Sequence, residues 1–272
     1  MKSGARRPGR GGAVVSGTTA APPVTHDPSP VLKAVLLDMD GVLVDVRGSF
    51  RRAVAETVGR FTGAEPTPEA IQAKKDAGGF NNDWVLSHHL VEEAGGAASF
   101  EEVKAVFQDL YRGRDFDGLI ATEPAAIETA TLEALAGRYA LALVTGRPEE
   151  DAEWTLRRFG WDALVPVVVG MGQQAGREKP DPHGLALALG VLGVDPADAV
   201  YAGDTVDDQK AAVAVGCRAI GVVPPGLDVR DHGRTLMRAG AEVVLSTPDD
   251  LPALLATLDR PATPPGGDPS AR

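Results

Sequence analysis

Two aspartates, Asp38 and Asp40, stand two residues apart at the end of the apolar run Val31-Leu32-Lys33-Ala34-Val35-Leu36-Leu37, with Gly41 directly after. A carboxylate can attack phosphorus as a nucleophile. A second carboxylate beside it can pass a proton. Two such charges at the end of a buried element are costly unless a cation or a reaction uses them. Three more segments end in groups of related chemistry. Leu141-Ala142-Leu143-Val144 runs into Thr145-Gly146-Arg147-Pro148, a hydroxyl and a glycine ahead of a helix start, where backbone N–H groups and the helix dipole favour anions. Glu178-Lys179-Pro180-Asp181-Pro182 sets a lysine in a turn bounded by prolines. Val200-Tyr201-Ala202 runs into Gly203-Asp204-Thr205-Val206-Asp207-Asp208. Asp204 is the kind of hard oxygen ligand that Mg2+ takes. Asp208 lies four residues further on, about one helical turn, so both can face one site.

Each of these groups must be held by an element. Short aliphatic runs bounded by glycine or polar turns predict buried parallel strands at Leu32–Leu37, Tyr139–Val144, Leu164–Val169, Ala199–Ala202, Arg218–Val223 and Glu242–Leu245. Pro166 argues against a central place for the third. Helical patterns lie between them: Ala125–Leu135, a helix opened by Pro148 at its first position and running to Phe159, Leu185–Leu192, and Asp207–Val215 with Gly216 as C-cap. Strand and helix in alternation imply an α/β fold with a Rossmann-like parallel sheet and right-handed crossovers. Ligands of such sheets bind beyond the carboxyl ends of the strands, where all four segments place their polar groups. Residues 49–122 break the rhythm. They show helical stretches at Ser49–Phe61, Trp84–Ala94 and Phe100–Tyr111 and no convincing strand.

Taken together and in this order, the four segments resemble the motifs of the haloacid dehalogenase superfamily of phosphohydrolases, over residues 30 to 250. The resemblance implies roles. Asp38 would be the nucleophile that forms an aspartyl-phosphate, and Asp40 the acid and base. Asp38, Asp204 and the backbone carbonyl of Asp40 would hold Mg2+. Thr145 and Gly146 would bind the phosphoryl oxygens, and Lys179 would neutralise both Asp38 and the phosphate. Asp208, or alternatively Asp207, would bind a metal-bound water or orient Lys179. Dehalogenases and phosphonatases of the superfamily lack the second aspartate, so Asp40 points to phosphate-ester or phosphoryl-transfer chemistry. The helical break resembles the C1-type cap of subfamily IA, which divides the chain into a core of 30–48 and 123–259 and a cap of 49–122. The cap loop Gly78-Gly79-Phe80-Asn81-Asn82-Asp83-Trp84 offers Asn81, Asn82 and Trp84 for substrate recognition, with Arg51 reaching an anionic group. The same asparagines and Asp83 could instead cap a helix. Lys74 and Lys75 read as solvated, and the adjacent His88 and His89 face different ways on a helix. Some relatives with this combination of motifs are associated with imidazoleglycerol-phosphate dehydratase, which hints at a small phosphorylated metabolite.

Composition sets the outer bounds. The chain has 272 residues, 43% hydrophobic and 24% charged, enough for a sizeable core. A net charge of -11 argues against nucleic acid or an anionic membrane as partner, though a bound cation can still bring in an anionic substrate. Cys217 is the single cysteine, which excludes an internal disulfide, suits a reducing cytoplasm and reads as a small buried hydrophobe. No run of 18 apolar residues predicts a membrane span. Residues 1–29, with Asp27 as their one acid, and 260–272, rich in Pro and Gly, read as disordered tails. The oligomeric state is not legible. The function expected is a Mg2+-dependent phosphatase of a small phosphomonoester. The rivals are a phosphoglucomutase-like transferase and a non-catalytic binding protein of the same fold. Such mutases carry a histidine twelve residues after the nucleophile, where this chain has Phe50.

Overall fold

The strand before Asp38, β1 (Ala34–Leu37), is buried along its whole length, as its unbroken aliphatic sequence requires. The computed structural model describes residues 32–80 and 82–259; the two expected tails and Asn81 lie outside them. After β1 come four helices: α1 (Phe50–Thr62), α2 (Pro68–Ala77), α3 (Asp83–Glu93) and α4 (Phe100–Tyr111). Strands and helices then alternate: α5 (Thr129–Ala136), β2 (Ala140–Val144), α6 (Glu149–Phe159), β3 (Val167–Val169), the short α7 (Met171–Gln174), α8 (His183–Leu192), β4 (Ala199–Gly203), α9 (Val206–Val215), β5 (Arg218–Val222), α10 (Val229–Ala239), β6 (Val243–Leu245) and α11 (Leu251–Leu258).

The six strands form one sheet in the order β3-β2-β1-β4-β5-β6, every neighbouring pair parallel. The chain order reverses on either side of β1, which opens a crevice at the carboxyl ends of β1 and β4. Register levels the edge there. Leu37 lies opposite Leu143 and Ala202, so Asp38 leaves the sheet level with Val144 and Gly203, with Thr145 and Asp204 one residue beyond on either side. Side chains alternate between two apolar layers. Val35, Leu37, Leu141 and Leu143 join Leu132, Leu135, Leu156, Leu251 and Leu255 on one face. Leu36, Ala142, Val144 and Tyr201 join Leu185, Leu189 and Ala212 on the other. Cys217 belongs to this second layer, and burial pushes its thiol up to about 12, the inert state expected of it.

Most elements expected from the sequence are present; the strands are shorter, except β4, which runs one residue further, to Gly203. The third strand begins at Val167, beyond Pro166, and is an edge strand. Pro148 occupies the N-cap position of α6 and not its first turn. The helix expected from Ala125 starts at Thr129, after a loop that joins it to the β1 turn through the Ala126 N–H to Leu43 carbonyl bond. Four helices, α7, α10, α11 and α2, have no counterpart among those expected; no apolar face marks α2, because only Ile71 of its residues is buried. Its start signal is nevertheless in the sequence: Thr67 accepts from the Ala70 N–H, and Pro68 sits in the first turn.

The inserted helices pack on one another through α1, α3 and α4. Phe50 lies with its ring centroid 4.0 Å from that of Tyr111 and 5.7 Å from that of Phe107. Ser99 and Glu102 form a reciprocal capping box at the start of α4. No described helix is long and apolar enough to cross a membrane.

Candidate active site

Lys179 is the hub of the crevice. Its side chain is wholly buried, and its ammonium reaches Asp38 Oδ1 at 2.9 Å, Asp208 Oδ1 at 2.6 Å and the Tyr201 hydroxyl at 2.8 Å. Burial by itself would lower the lysine; the carboxylates of Asp208 and Asp38 outweigh it and raise it. Burial raises Asp38, and Lys179 opposes that rise while Asp208 and Asp40 add to it. The Tyr201 hydroxyl, accepting from Lys179, donates to Asp208 Oδ1 at 2.9 Å. Asp208 Oδ2 accepts from the Thr205 N–H and hydroxyl at 2.9 and 2.7 Å and so caps α9. Of the two roles open to Asp208, orienting Lys179 is the one its contacts fit. Asp207 does not touch Lys179. Its Oδ2 accepts from the Gly79 N–H at 2.8 Å and ties the loop before α3 to the sheet.

Asp204 completes a cluster with Asp38 and Asp208, one oxygen of each within 4.8 Å of the others. Its Oδ1 is buried with no hydrogen-bond partner among the described residues. Burial, then the charges of Asp208 and Asp38, hold its carboxyl well above the usual range. Three buried carboxylates share one lysine, and both oxygens of Asp208 are already hydrogen-bonded. The donor set of Asp38 and Asp204 therefore fits a hard divalent cation. Gly41 makes the approach possible. Its φ is +75°, and a Cβ there would lie 2.3 Å from Asp204 Oδ2. His232 on α10 fixes the strand end from behind, Nε2 lying 2.7 Å from the Asp204 carbonyl.

Asp40 has a partner to which the motif spacing assigns no role. Arg147, 1% exposed, directs Nε and Nη2 to Asp40 Oδ1 at 2.7 and 2.6 Å. Its other side meets Glu123 at 3.0 Å and the Thr155 hydroxyl at 3.2 Å, and its guanidinium lies 4.8 Å from the Phe50 ring centroid. Glu123 in turn accepts from Ser49 Oγ at 2.6 Å. The signal in the sequence is Arg147, one residue past Gly146, and a second carboxylate, Asp40, two residues beyond Asp38. Thr145 is fully buried, and its Oγ accepts from the Arg147 N–H at 3.2 Å. Gly146 lines the chamber that Asp38, Asp40 and Asp204 share.

The inserted helices roof this chamber. Arg51 and Lys75 line it together with Asp38. Lys75 corrects the expectation of a solvated lysine: it is drawn inward, 2.9 Å from the buried Asp83. Burial raises Asp83 against the pull of Lys75, and Asp83 keeps Lys75 raised against burial. Lys74 pairs at the surface with Glu93 at 3.0 Å. Asn82 is the N-cap of α3, accepting from the Trp84 and Val85 N–H groups, and also borders a second chamber beyond Asp40 with Trp84. His88 faces the Ala98 carbonyl and His89 the Phe80 ring, so the two diverge. Asp151, which no sequence motif marks, borders the second chamber; burial pushes its carboxyl up to about 6, with Arg112 and Arg147 opposing.

A parallel sheet in 3-2-1-4-5-6 order with carboxylates, a hydroxyl and a lysine at one edge is a doubly wound α/β fold whose ligand crevice lies at that edge. Residues 32–216 match the family of haloacid dehalogenase-like hydrolases, and the chain belongs to that family. It is 38% identical over 233 residues to an imidazoleglycerol-phosphate dehydratase of Phytophthora nicotianae, covering 80% of this chain and 51% of that protein. The chain thus spans about half the length of that relative. It is 29% identical over 239 residues to an N-acetylmuramic acid 6-phosphate phosphatase of Pseudomonas aeruginosa, covering 84% and 96% of the two chains. Among solved structures, a haloacid dehalogenase family hydrolase of Deinococcus radiodurans with bound phosphate and sodium superposes with a TM-score of 0.62 at 26% identity, over 85% and 97% of the two chains.

Proposed function

We propose that the chain is a Mg2+-dependent phosphatase that hydrolyses a small phosphomonoester through an aspartyl-phosphate on Asp38. The observation that carries this reading is the Lys179–Asp38 pair beside the unpartnered oxygen of Asp204. Lys179 opposes the rise that burial imposes on Asp38 and so favours its carboxylate form, and it offsets the repulsion between that carboxylate and an incoming phosphate. Asp38 Oδ, the phosphorus and the ester oxygen align, the P–O ester bond breaks as the Asp38–phosphorus bond forms, and Asp40 protonates the departing alkoxide. Asp40, then a carboxylate beside Arg147, takes a proton from water as it attacks the aspartyl-phosphate and frees Asp38. Thr145 and Gly146 bind the phosphoryl oxygens, with Arg51 and Lys75 adding positive charge from the roof. Asp38, Asp204 and the Asp40 carbonyl would hold Mg2+, which when bound would supply charge neutralisation of the transferring phosphoryl group. Helices of residues 49–122 act as the cap that excludes bulk water. The buried thiol, the acidic surface and the small phosphorylated substrate suit a cytoplasmic enzyme.

A mutase reading has less support. Phe50 stands where those enzymes carry histidine, and it packs beneath Arg147 with no proton to exchange. A non-catalytic role would leave unexplained why such a costly set of buried charges persists.

The test is phosphate release from a panel of sugar phosphates, phosphoglycolate, nucleotides, histidinol phosphate and p-nitrophenyl phosphate, with and without Mg2+. The expected result is metal-dependent turnover that Asp38→Asn abolishes while the circular dichroism spectrum is kept. Full activity in that variant would overturn the nucleophile assignment.

A further inference from the structure

The space around Asp40 has two unlike halves. On the Asp38 side, Arg51 and Lys75 supply positive charge. On the far side the chamber is bordered by Asp40, Asp83, Gln108 and Asp151 with the aromatic rings of Trp84 and Tyr111, and none of its bordering residues among those described is a lysine or arginine. Its charged groups are all carboxylates, and several of its buried acceptors lack donors. Gln108 Oε1 and both oxygens of Asp151 are buried with no hydrogen-bond partner among the described residues, and Asp151 is 1% exposed. The cation nearest to Asp151, Arg112, keeps Nε 3.8 Å from its Oδ1 and gives Nη2 to Glu150 at 2.6 Å. Lys75 approaches Asp83 from the phosphate side. Buried acceptors left unpaired are unfavourable until a ligand supplies hydrogen-bond donors.

We propose that this chamber receives the alcohol half of the substrate, and that this half is a polyol or amino-alcohol carrying several hydrogen-bond donors and no negative charge. The inference rests on the phosphatase reading of Asp38 and names its substrate class. Asp40 must face the ester oxygen, so the carbon skeleton beyond that oxygen enters the far chamber. Hydroxyl or ammonium groups there donate to Asp151, Gln108 and Asp83, while carbon–hydrogen faces lie against Trp84 and Tyr111. A carboxylate in the same place meets no cation among the bordering residues described and adds a like charge beside Asp83 and Asp151. The chamber's cavity volume is only about 20 Å³, so the alcohol half enters as the residues bordering it move apart.

The experiment compares kcat/KM for matched esters with Mg2+: glycerol 3-phosphate against 3-phosphoglycerate, and phosphoethanolamine against phosphoglycolate. p-Nitrophenyl phosphate is the common reference. The expected result is a preference of at least about tenfold for the polyol and amino-alcohol of each pair. Gln108→Lys should narrow or invert that ratio by giving the carboxylate a partner. Equal or better turnover of the hydroxy-acid esters, with p-nitrophenyl phosphate still hydrolysed, overturns this assignment and leaves the phosphatase reading intact. No hydrolysis of any ester, the reference included, removes the phosphatase reading and this proposal with it.

Discussion

Asp151 shows how one residue can be placed at the expense of the fold. Its carboxyl is raised by burial to about 6, and Arg112, at 3.8 Å, is too distant to compensate fully. The sign comes from proton linkage. The native state holds this proton more tightly than the unfolded chain, whose aspartates titrate near 4, so stability falls as pH rises from about 4 through 6. Ionising the buried group at neutral pH therefore costs up to roughly 3 kcal/mol. Asp151→Asn, which mimics the neutral acid, should be more stable than the parent by roughly 1–3 kcal/mol at pH 8 and equal to it at pH 4. Urea unfolding at the two pH values checks this. An identical difference at both would show that charge burial is not the cause. A residue kept charged at such a cost is consistent with a ligand-facing duty.

At the scale of elements, the segment between β2 and α6 links three parts of the chain through Arg147. Its guanidinium meets Asp40 after β1, Glu123 on the return from α4 and Thr155 on α6. Only a planar fork with five donors can serve three such directions at once. Arg147→Lys keeps the charge and loses the fork, leaving Glu123 or Asp40 without its partner. The expected loss is about 3 kcal/mol, in the range for breaking a buried pair, together with a fall in kcat. Denaturant unfolding and steady-state kinetics on the same preparation check both. A variant of parental stability would show that the network has no structural weight. Asp207 gives a second link, holding the Gly79 N–H of the loop into α3. The roof and the sheet thus meet through specific hydrogen bonds as well as apolar contact.

For the whole molecule, the sheet edge gathers buried negative charge that its own lysine does not balance. Asp38, Asp204 and Asp208 converge within 4.8 Å, and Asp204 Oδ1 is unpaired among the described residues. A cation that binds only the folded chain stabilises it by mass action, by about 2.7 kcal/mol at a hundredfold excess over Kd. Mg2+ should therefore raise the melting temperature of the parent protein, and EDTA should reverse it. Asp204→Asn should remove the response while melting at or above the parent's metal-free temperature, since it takes a charge out of the cluster. Calorimetry with and without Mg2+ reads this without reference to turnover. A parent whose melting is indifferent to millimolar Mg2+ would count against the site.

The sequence alone determined the order of the strands and of most of the helices, because aliphatic runs of strand length and glycine or proline punctuation are local signals. It also determined which residues leave the carboxyl ends of β1, β2 and β4, and hence Asp38, Asp40, Thr145 and Asp204. Tertiary structure decided what those residues face. Lys179 lies 141 residues from Asp38, Arg147 lies 107 from Asp40, and Glu123 lies 74 from Ser49. No local pattern records such pairings. The same gap explains Lys75, which follows Lys74 in an unremarkable helix yet turns inward because Asp83 waits beneath the roof. It also explains Asp151, one of three acids in the first turn of α6, where the helix dipole welcomes any acid and hides the one that is buried. Side-chain type and spacing fix the reacting groups. Burial and the partner across the fold fix their charge state and direction, and those exist only once the strands have aligned.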